Sequence, residues 1–522
     1  MMSTRLSGSA DVDREHARRL LEAATDETLA AQGWASAPPI RLAALLPGTS
    51  DDATALRQLM AATGTAVTGA LPNLLDLSES LSREQLQRPG GGVDTAAMTA
   101  AVPVAATAAD SALRADEQAA EIRVESLASP LRKPAERLQR DLTNLREQTR
   151  FLSDTLTVLP PALGHDGRQE YLLAFQNLAE ARPTGGVIGA WALLAADRGQ
   201  LELVATGAND DLRGLSVPVR DLGPEIDQLY GQDVELSQNV NLSPHFPHAA
   251  MLLSDLWQAQ GREAPDGVIA VDPVALSELL RVTGPLDVAE GPRVDAETVV
   301  DVVQAQVYAE FAGQDELRRD YLSRLTATVF GAAVQTGIAD PAIFRAVTNA
   351  ARSDHLLMWS PKEEVQTLIE EAGVGGTLQE PADDRVGVRI TNVDGSKLDH
   401  HLRVGVTCRS TDLLVSLTDR APMQVPAYAA NQFEGAVPTT HRLIVDLLLP
   451  PTQGVQHVHV GGVAAALSVA TLQSWTVARR VIDVPRDSTV EVLWGLASET
   501  STLEIDIQPL TVPATITGCE GT

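Results

Sequence analysis

The sequence predicts a multidomain α+β protein with an N-terminal helical bundle, a central α/β layered domain and a C-terminal β-sandwich. Three observations carry this. A chain of 522 residues and 55.4 kDa exceeds what one hydrophobic core organises, so two or three domains are expected. Its 44% hydrophobic content contains only 3% aromatic residues, which is the texture of a globular chain rich in Ala, Leu and Val. The apolar pattern also changes twice along the chain, first from helical spacing to an alternation of short strands and helices, then to period two.

Residues 1–157 form the predicted bundle. Stretches around Glu15–Ala24 and Leu127–Leu142 repeat apolar residues at spacings of three and four, with charged faces between them. Breaks fall at Pro38-Pro39, Pro47-Gly48 and Pro89-Gly-Gly-Gly92. Such a segment suits a stalk better than a pocket.

Residues 158–375 form the predicted α/β domain. A strand over Glu170–Gln176 is followed by a Gly-Gly segment and a second strand from Val187, with Asp197-Arg-Gly-Gln200 as a hairpin turn. A helix over 246–261 precedes the short buried strand Gly-Val-Ile-Ala-Val between Asp266 and Asp272, and a helix over 275–282 closes at Thr283-Gly-Pro285. Further helices are expected over 294–311, 316–334 and 341–352. Residues 385–515 then show period-two runs beginning at Val388, Leu402, Leu413, Arg442, Thr489 and Leu503, separated by Pro/Gly turns, which predicts a β-sandwich.

Charge narrows the function. Forty Lys+Arg against 69 Asp+Glu give −29, and repulsion from phosphates on this scale argues against nucleic-acid binding. Any anion site is then a local exception, built from Arg, because Lys occurs only at 133, 362 and 397. Cys408 and Cys519 are too few for a four-ligand zinc site and read either as two thiols or as one disulfide clasping the C-terminal domain. No run of 18 apolar residues occurs; residues 95–109 are uncharged, but Pro103 argues against a span there. The N-terminus as it stands has no apolar signal core and reads as cytoplasmic. Phosphate-loop, HExxH, GxSxG and GxGxxG signatures are missing, which disfavours the usual nucleotide hydrolases, zinc proteases and serine hydrolases.

The densest constellation is Tyr171-Leu-Leu-Ala-Phe-Gln-Asn-Leu-Ala-Glu-Ala-Arg-Pro-Thr-Gly-Gly186. Asn177, Glu180 and Arg182 follow the strand and precede a bare Gly185-Gly186 turn, so Arg182 and the turn amides suit a phosphate, with Asn177 and Thr184 beside them. The competing reading is an internal Glu180–Arg182 network that braces the turn. Ser243, His245 and His248 mark a helix entry, where surface histidines outweigh ligands or bases. Asp266 and Asp272 flank a strand and suit either magnesium or turn and cap roles. Arg318, Arg319 and Arg324 share one helix, where a solvated face is the ordinary outcome.

The Tyr171–Gly186 run resembles the signature of a bacterial family, domain of unknown function 4012. So do Ser243-Pro-His-Phe-Pro247, Asp266-Gly-Val-Ile-Ala-Val-Asp-Pro273, Leu280-Arg-Val-Thr-Gly-Pro285 and Gly395-Ser-Lys-Leu-Asp399. Members of that family usually begin with a cytoplasmic stub and a membrane span, with the bulk outside the cell. This chain departs by lacking the span and by carrying His245 where the family more often has Asp. Together with the late cysteines, the resemblance implies an extracytoplasmic or cell-surface protein, held near the membrane by an anchor not present in this chain.

The central domain is distantly similar, in element order, to the LytR-CpsA-Psr transferases, which move glycopolymers from polyprenyl-pyrophosphate carriers to the cell wall. That similarity implies two alternatives. One is a magnesium-dependent glycopolymer phosphotransferase or binder in which Arg182, Glu180 and Arg319 act on the pyrophosphate. There Asn177, Thr184, Gly185, Gly186 and Arg318 contact the ligand, Asp266 or Glu180 holds magnesium, and a long apolar pocket opens beside Arg182. The transferases' acidic metal ligand is replaced here by Pro183 and Thr184. The other is a non-catalytic scaffold for assembly of surface polysaccharide or cell wall.

Overall fold

The computed structural model describes residues 3–46, 50–88, 91–212, 220–231, 236–337, 340–430, 439–499 and 503–519. The chain is a mixed α+β protein that divides into two compact units, Met1–Arg168 with Asp197–Gln200, and Gln169–Ala196 with Leu201–Thr522. The expected breaks at Pro47-Gly48 and Pro89-Gly90 lie outside the described residues.

The first unit is helical. Its main helices are Ser3–Ala35, Ser50–Thr65, Leu71–Ser80, Thr95–Ala120 and Ser129–Ala162, and Pro38-Pro39 opens the short helix Pro38–Ala43, where a missing N–H costs nothing. Asp94 caps Thr95–Ala120 by accepting the Ala97 N–H at 3.0 Å. Pro103 does not break that helix. It is the one helix among the described residues long and apolar enough to cross a membrane, with a mean hydropathy of 1.3. A stripe of small residues, Ala101, Ala105, Ala108, Ala112, Ala115 and Ala119, is buried along it, and Ala115 and Ala119 pack on Ala62, Ala66 and Leu142.

Among the described residues the second unit holds sixteen strands in three sheets: β1 Gln169–Arg182, β2 Gly185–Asp197, β3 Gln200–Ala208, β4 Gly267–Val271, β5 Leu356–Trp359, β6 Arg385–Asn392, β7 Leu402–Arg409, β8 Asp412–Asp419, β9 His441–Leu449, β10 Val455–Val460, β11 Val463–Ala464, β12 Ser468–Leu472, β13 Trp475–Val484, β14 Thr489–Leu496, β15 Glu504–Ile507 and β16 Thr515–Thr517. The first sheet runs β3-β2-β1-β4-β5, with β1 parallel to β4 and antiparallel to β2. Arg198 and Gly199 both take positive φ in the β2–β3 turn, the conformation that matches the twist of a tight hairpin. Both faces of the central strands β1, β2 and β4 are covered, so these strands read as nearly continuous apolar runs, whereas the edge strand β3 is largely exposed. Leu172, Ala174 and Ile188 face Leu252, Leu253 and Leu256 of helix Phe246–Ala259, whereas Leu173, Leu194 and Ile269 sit with Phe330 of helix Asp315–Thr336.

The other two sheets are ordered β11-β10-β14-β8-β7-β16 and β12-β13-β9-β6-β15. Val388 and Val445 of one share a core with Val406, Val415 and Trp494 of the other. Leu448, Leu472, Trp475 and Val477 turn instead into the core around helix Phe246–Ala259, so the first and third sheets share apolar surface. Cys408 on β7 is joined to Cys519, just beyond β16, by a disulfide.

Two expected elements differ. The strand expected to end at Gln176 continues to Arg182, so the polar constellation stands on β1 itself. The helix expected over 294–311 begins at Val299, because Asp295 accepts the Glu297 and Thr298 N–H groups and holds a turn ahead of it.

Candidate functional site

The end of β1 is irregular. Asn177 pairs with Val187 and Ala181 with Gly186, so residues 178–180 bulge out of the β1–β2 ladder. The Asn177 side chain braces the bulge by accepting the Ala179 N–H at 3.0 Å, and it donates to the Tyr308 hydroxyl at 2.6 Å. Gly185 and Gly186 belong to this close approach. A Cβ on Gly186 would strike the Asn177 carbonyl, and Gly185 has φ +132° with the Gln176 amide where a Cβ would sit. Thr184 is buried against the Asn241 side chain, whose amide also donates to Gly186 O at 2.7 Å.

The bulge turns Glu180 and Arg182 into the interior, where their side chains are 8% and 6% exposed. Arg182 Nη2 donates to Glu180 Oε1 at 2.7 Å, and Nη1 donates to the carbonyls of Asn392 at 2.8 Å and Ala181 at 3.1 Å. The second Glu180 oxygen takes the Lys397 ammonium. One carboxylate is thus held between two cations, one two residues away on the same strand and the other 217 residues away in sequence. Burial lowers the Arg182 guanidinium to about 10, with Asp399 and Asp394 opposing.

Behind this trio lies a group that local sequence does not announce. His441 is fully buried, with Nδ1 2.9 Å from Asp399 Oδ1 and Nε2 2.7 Å from Asp419 Oδ1. Burial opposes its charge, but the hydrogen bonds to both carboxylates win and raise its pKa to about 9. Asp399 Oδ2 also accepts the Ala181 N–H and the Asn392 amide, both at 2.9 Å. Gln508 donates to Arg182 O at 3.1 Å. The network therefore stitches β1 to β6, β9 and the segment after β15.

In front of the trio opens a cavity of about 700 Å³. Asn177, Glu180, Arg182, Lys397, Arg318 and Arg319 all line it, with an apolar wall that includes Val187, Ile188, Leu229, Leu276 and Leu322. Arg318 is buried, donates to Asp315 at 2.7 Å and lies 3.8 Å from the centre of the Tyr428 ring, which is itself stacked on Tyr308. Arg319 is 45% exposed and 3.7 Å from Asp210. The structure thus gathers five of the predicted residues at one cavity. Thr184, Gly185 and Gly186 are not in its lining and serve the hairpin.

Magnesium does not fit the residues expected to hold it. Both Glu180 oxygens carry cations, and Asp266 stands beside Glu170, ten residues earlier on the same strand, or about 30 Å away at strand rise. Asp266 receives the Glu170 N–H at 2.9 Å and Lys362 at 3.4 Å. Among the described residues no group of three His, Cys, Asp or Glu is placed to hold a metal. Asp272 caps helix Pro273–Thr283 and pairs with His355 at 2.5 Å. His245 and His248 are half-buried, and this partial burial lowers both to about 4; they accept from the Leu378 N–H and contact Ser243 respectively. Arg324 contacts Glu290 at 3.4 Å, on a partly exposed face.

Fold and site together define a ligand-sized cavity of mixed polar and apolar lining in a mixed-sheet unit. Residues 166–308, the part of the chain that carries β1 and its bulge, match the family model described as protein of unknown function (DUF4012). Comparison with curated proteins and with solved structures returned no significant match.

Proposed function

We propose that the protein binds a phosphate-linked glycan of the polyprenyl-pyrophosphate type at the bacterial cell envelope, outside the cytoplasm. The observation that carries the reading is the cavity of about 700 Å³, within the range of small-molecule sites, lined by five basic and three acidic residues in a chain of net charge −29. The Cys408–Cys519 disulfide supports an oxidising compartment. In this reading residues 1–157 serve as a helical stalk, the first sheet and its helices as the LytR-CpsA-Psr-like layer, and residues 385–515 as a β-sandwich closing the site. Binding is favoured over transfer because Glu180, the carboxylate nearest Arg182, is neutralised on both oxygens.

Titration of the full chain with a short-chain prenyl-pyrophosphoryl sugar, followed by calorimetry, tests this. Saturable 1:1 heat is expected, and no heat at millimolar ligand would end the reading.

A second reading has its own observation. Arg182, Asp399 and Gln508 bond across sheets through backbone groups, so the motif residues also fit a non-catalytic scaffold for polysaccharide or cell-wall assembly. Under it the stitched network matters for folding and the cavity takes no ligand.

A further inference from the structure

We infer that the cavity receives the sugar end of its ligand, with the phosphate left at the mouth beside Arg319; this rests on the glycan-binding reading and says which part of the ligand enters. Charge is the first argument. Every lining cation already faces a carboxylate: Arg182 and Lys397 share Glu180, Arg318 meets Asp315, Arg479 meets Asp446, and Arg319 meets Asp210. A pyrophosphate drawn to the back of the cavity would compete with pairs at 2.7 Å and would bring its charges against Glu180. The Arg319 pair is the longest of these at 3.7 Å, and its guanidinium is 45% exposed, so an oxyanion there displaces the least.

Hydrogen-bonding character is the second argument. Six carboxamide side chains line the cavity, Gln176, Asn177, Asn209, Gln238, Asn239 and Asn392, of which Gln176, Asn177, Asn209 and Asn392 also bond within the protein, together with six hydroxyl-bearing residues that include Tyr308 and Tyr428. Carboxamides and hydroxyls both donate and accept, whereas a phosphate only accepts at neutral pH. A wall of this kind matches a ligand whose groups also do both, and a sugar ring is such a ligand.

The third argument is the aromatic shelf. Tyr428 lines the cavity and is 45% exposed, and its ring is held by Arg318 at 3.8 Å and by the near-parallel Tyr308 ring at 5.7 Å. A preordered aromatic surface offers the C–H face of a pyranose a contact whose ordering cost is already met in the free protein. The shelf and the trio are tied together, since the Lys397 N–H donates to Ala429 O at 2.9 Å and its ammonium to Glu180.

Saturation-transfer NMR on the full chain, with a panel of hexose and N-acetylhexosamine 1-phosphates, tests the inference, with inorganic pyrophosphate as competitor. Transfer to ring protons is expected for at least one sugar phosphate, without displacement by equimolar pyrophosphate. Tyr428→Ala should weaken it at least tenfold, and Tyr428→Phe, which keeps the shelf, less than threefold. Arg319→Ala should weaken the sugar phosphate but not the corresponding free sugar. Pyrophosphate displacing the sugar phosphate at equal concentration, or Tyr428→Ala leaving affinity unchanged, overturns the inference. Absence of transfer to every sugar overturns it too, and calorimetric binding of the prenyl-linked ligand would then show that only the placement failed.

Discussion

Replacing His441 by Asn removes the charge that holds Asp399 and Asp419 together in the interior. The imidazole is fully buried, bonded at 2.9 and 2.7 Å, and raised from 6.5 to about 9. That rise corresponds to about 3 kcal/mol of preference for the charged form in the folded state. Removing one partner of a buried ionic group costs about 3–5 kcal/mol, and the backbone donors retained by both carboxylates place this case near the lower figure. Because the folded pKa lies above the unfolded one, the contribution is complete below about pH 6.5 and fades as pH rises through about 9. Five of the six tryptophans belong to the second unit, so fluorescence-detected urea unfolding reports on it. The wild type should exceed His441→Asn by about 3 kcal/mol at pH 6, and the gap should shrink by most of that amount at pH 9.5. Taking the difference cancels other groups such as Lys397, which burial lowers to about 8 and which therefore titrates in the opposite sense. A gap below about 0.5 kcal/mol at pH 6, or one independent of pH, would show that His441 does not carry a stabilising charge between Asp399 and Asp419.

Gly186→Ala drives a Cβ into the Asn177 carbonyl, and a loss of about 3 kcal/mol or failure to fold is expected in thermal melts followed by circular dichroism. Lys397→Met leaves Glu180 with one cation and should cost about 3 kcal/mol in chemical denaturation at pH 7; an unchanged midpoint would show the trio to be energetically idle. Opening the Cys408–Cys519 link, which closes a sequence separation of 111, should lower unfolding free energy by up to about 4 kcal/mol, read as a reducing-agent-dependent midpoint absent from the Cys408→Ser/Cys519→Ser protein.

What could be read in the sequence follows the range of the interactions involved. Helix Pro341–Arg352 was legible to the residue because Asp340 caps it locally, and the Asp197–Gln200 hairpin was legible because Arg-Gly suits its turn. The extension of β1 through Asn177–Arg182 was hidden because the bulge destroys strand periodicity. In the same way β10, β12 and β13 went unassigned, since exposed and buried positions along them do not alternate cleanly. At the site, Asn177, Glu180, Arg182, Arg318 and Arg319 stood out by residue type. Lys397 and His441 did not, because their partners Glu180 and Asp399 lie 217 and 42 residues away and only the tertiary fold brings them in. Two signals were available for Lys397, its place in the Gly395-Ser-Lys-Leu-Asp399 motif and the rarity of lysine: Lys362 and Lys397 both pair with acidic residues of the flagged motifs. The proposed roles of Gly185 and Gly186 at a ligand gave way to a steric one, visible only once the opposing strand is in place.

The proposed cavity ligand, beside Arg182 and Lys397, is a phosphate-linked glycan. Its most direct test is mass spectrometry of organic and aqueous extracts from the full chain purified out of a bacterial envelope fraction, beside a Tyr428→Ala, Arg319→Ala protein prepared identically. A stoichiometric prenyl-phosphate-linked sugar is expected in the first sample and its loss from the second. An empty wild-type protein that also fails to take up the added ligand, or equal recovery from both proteins, would contradict it.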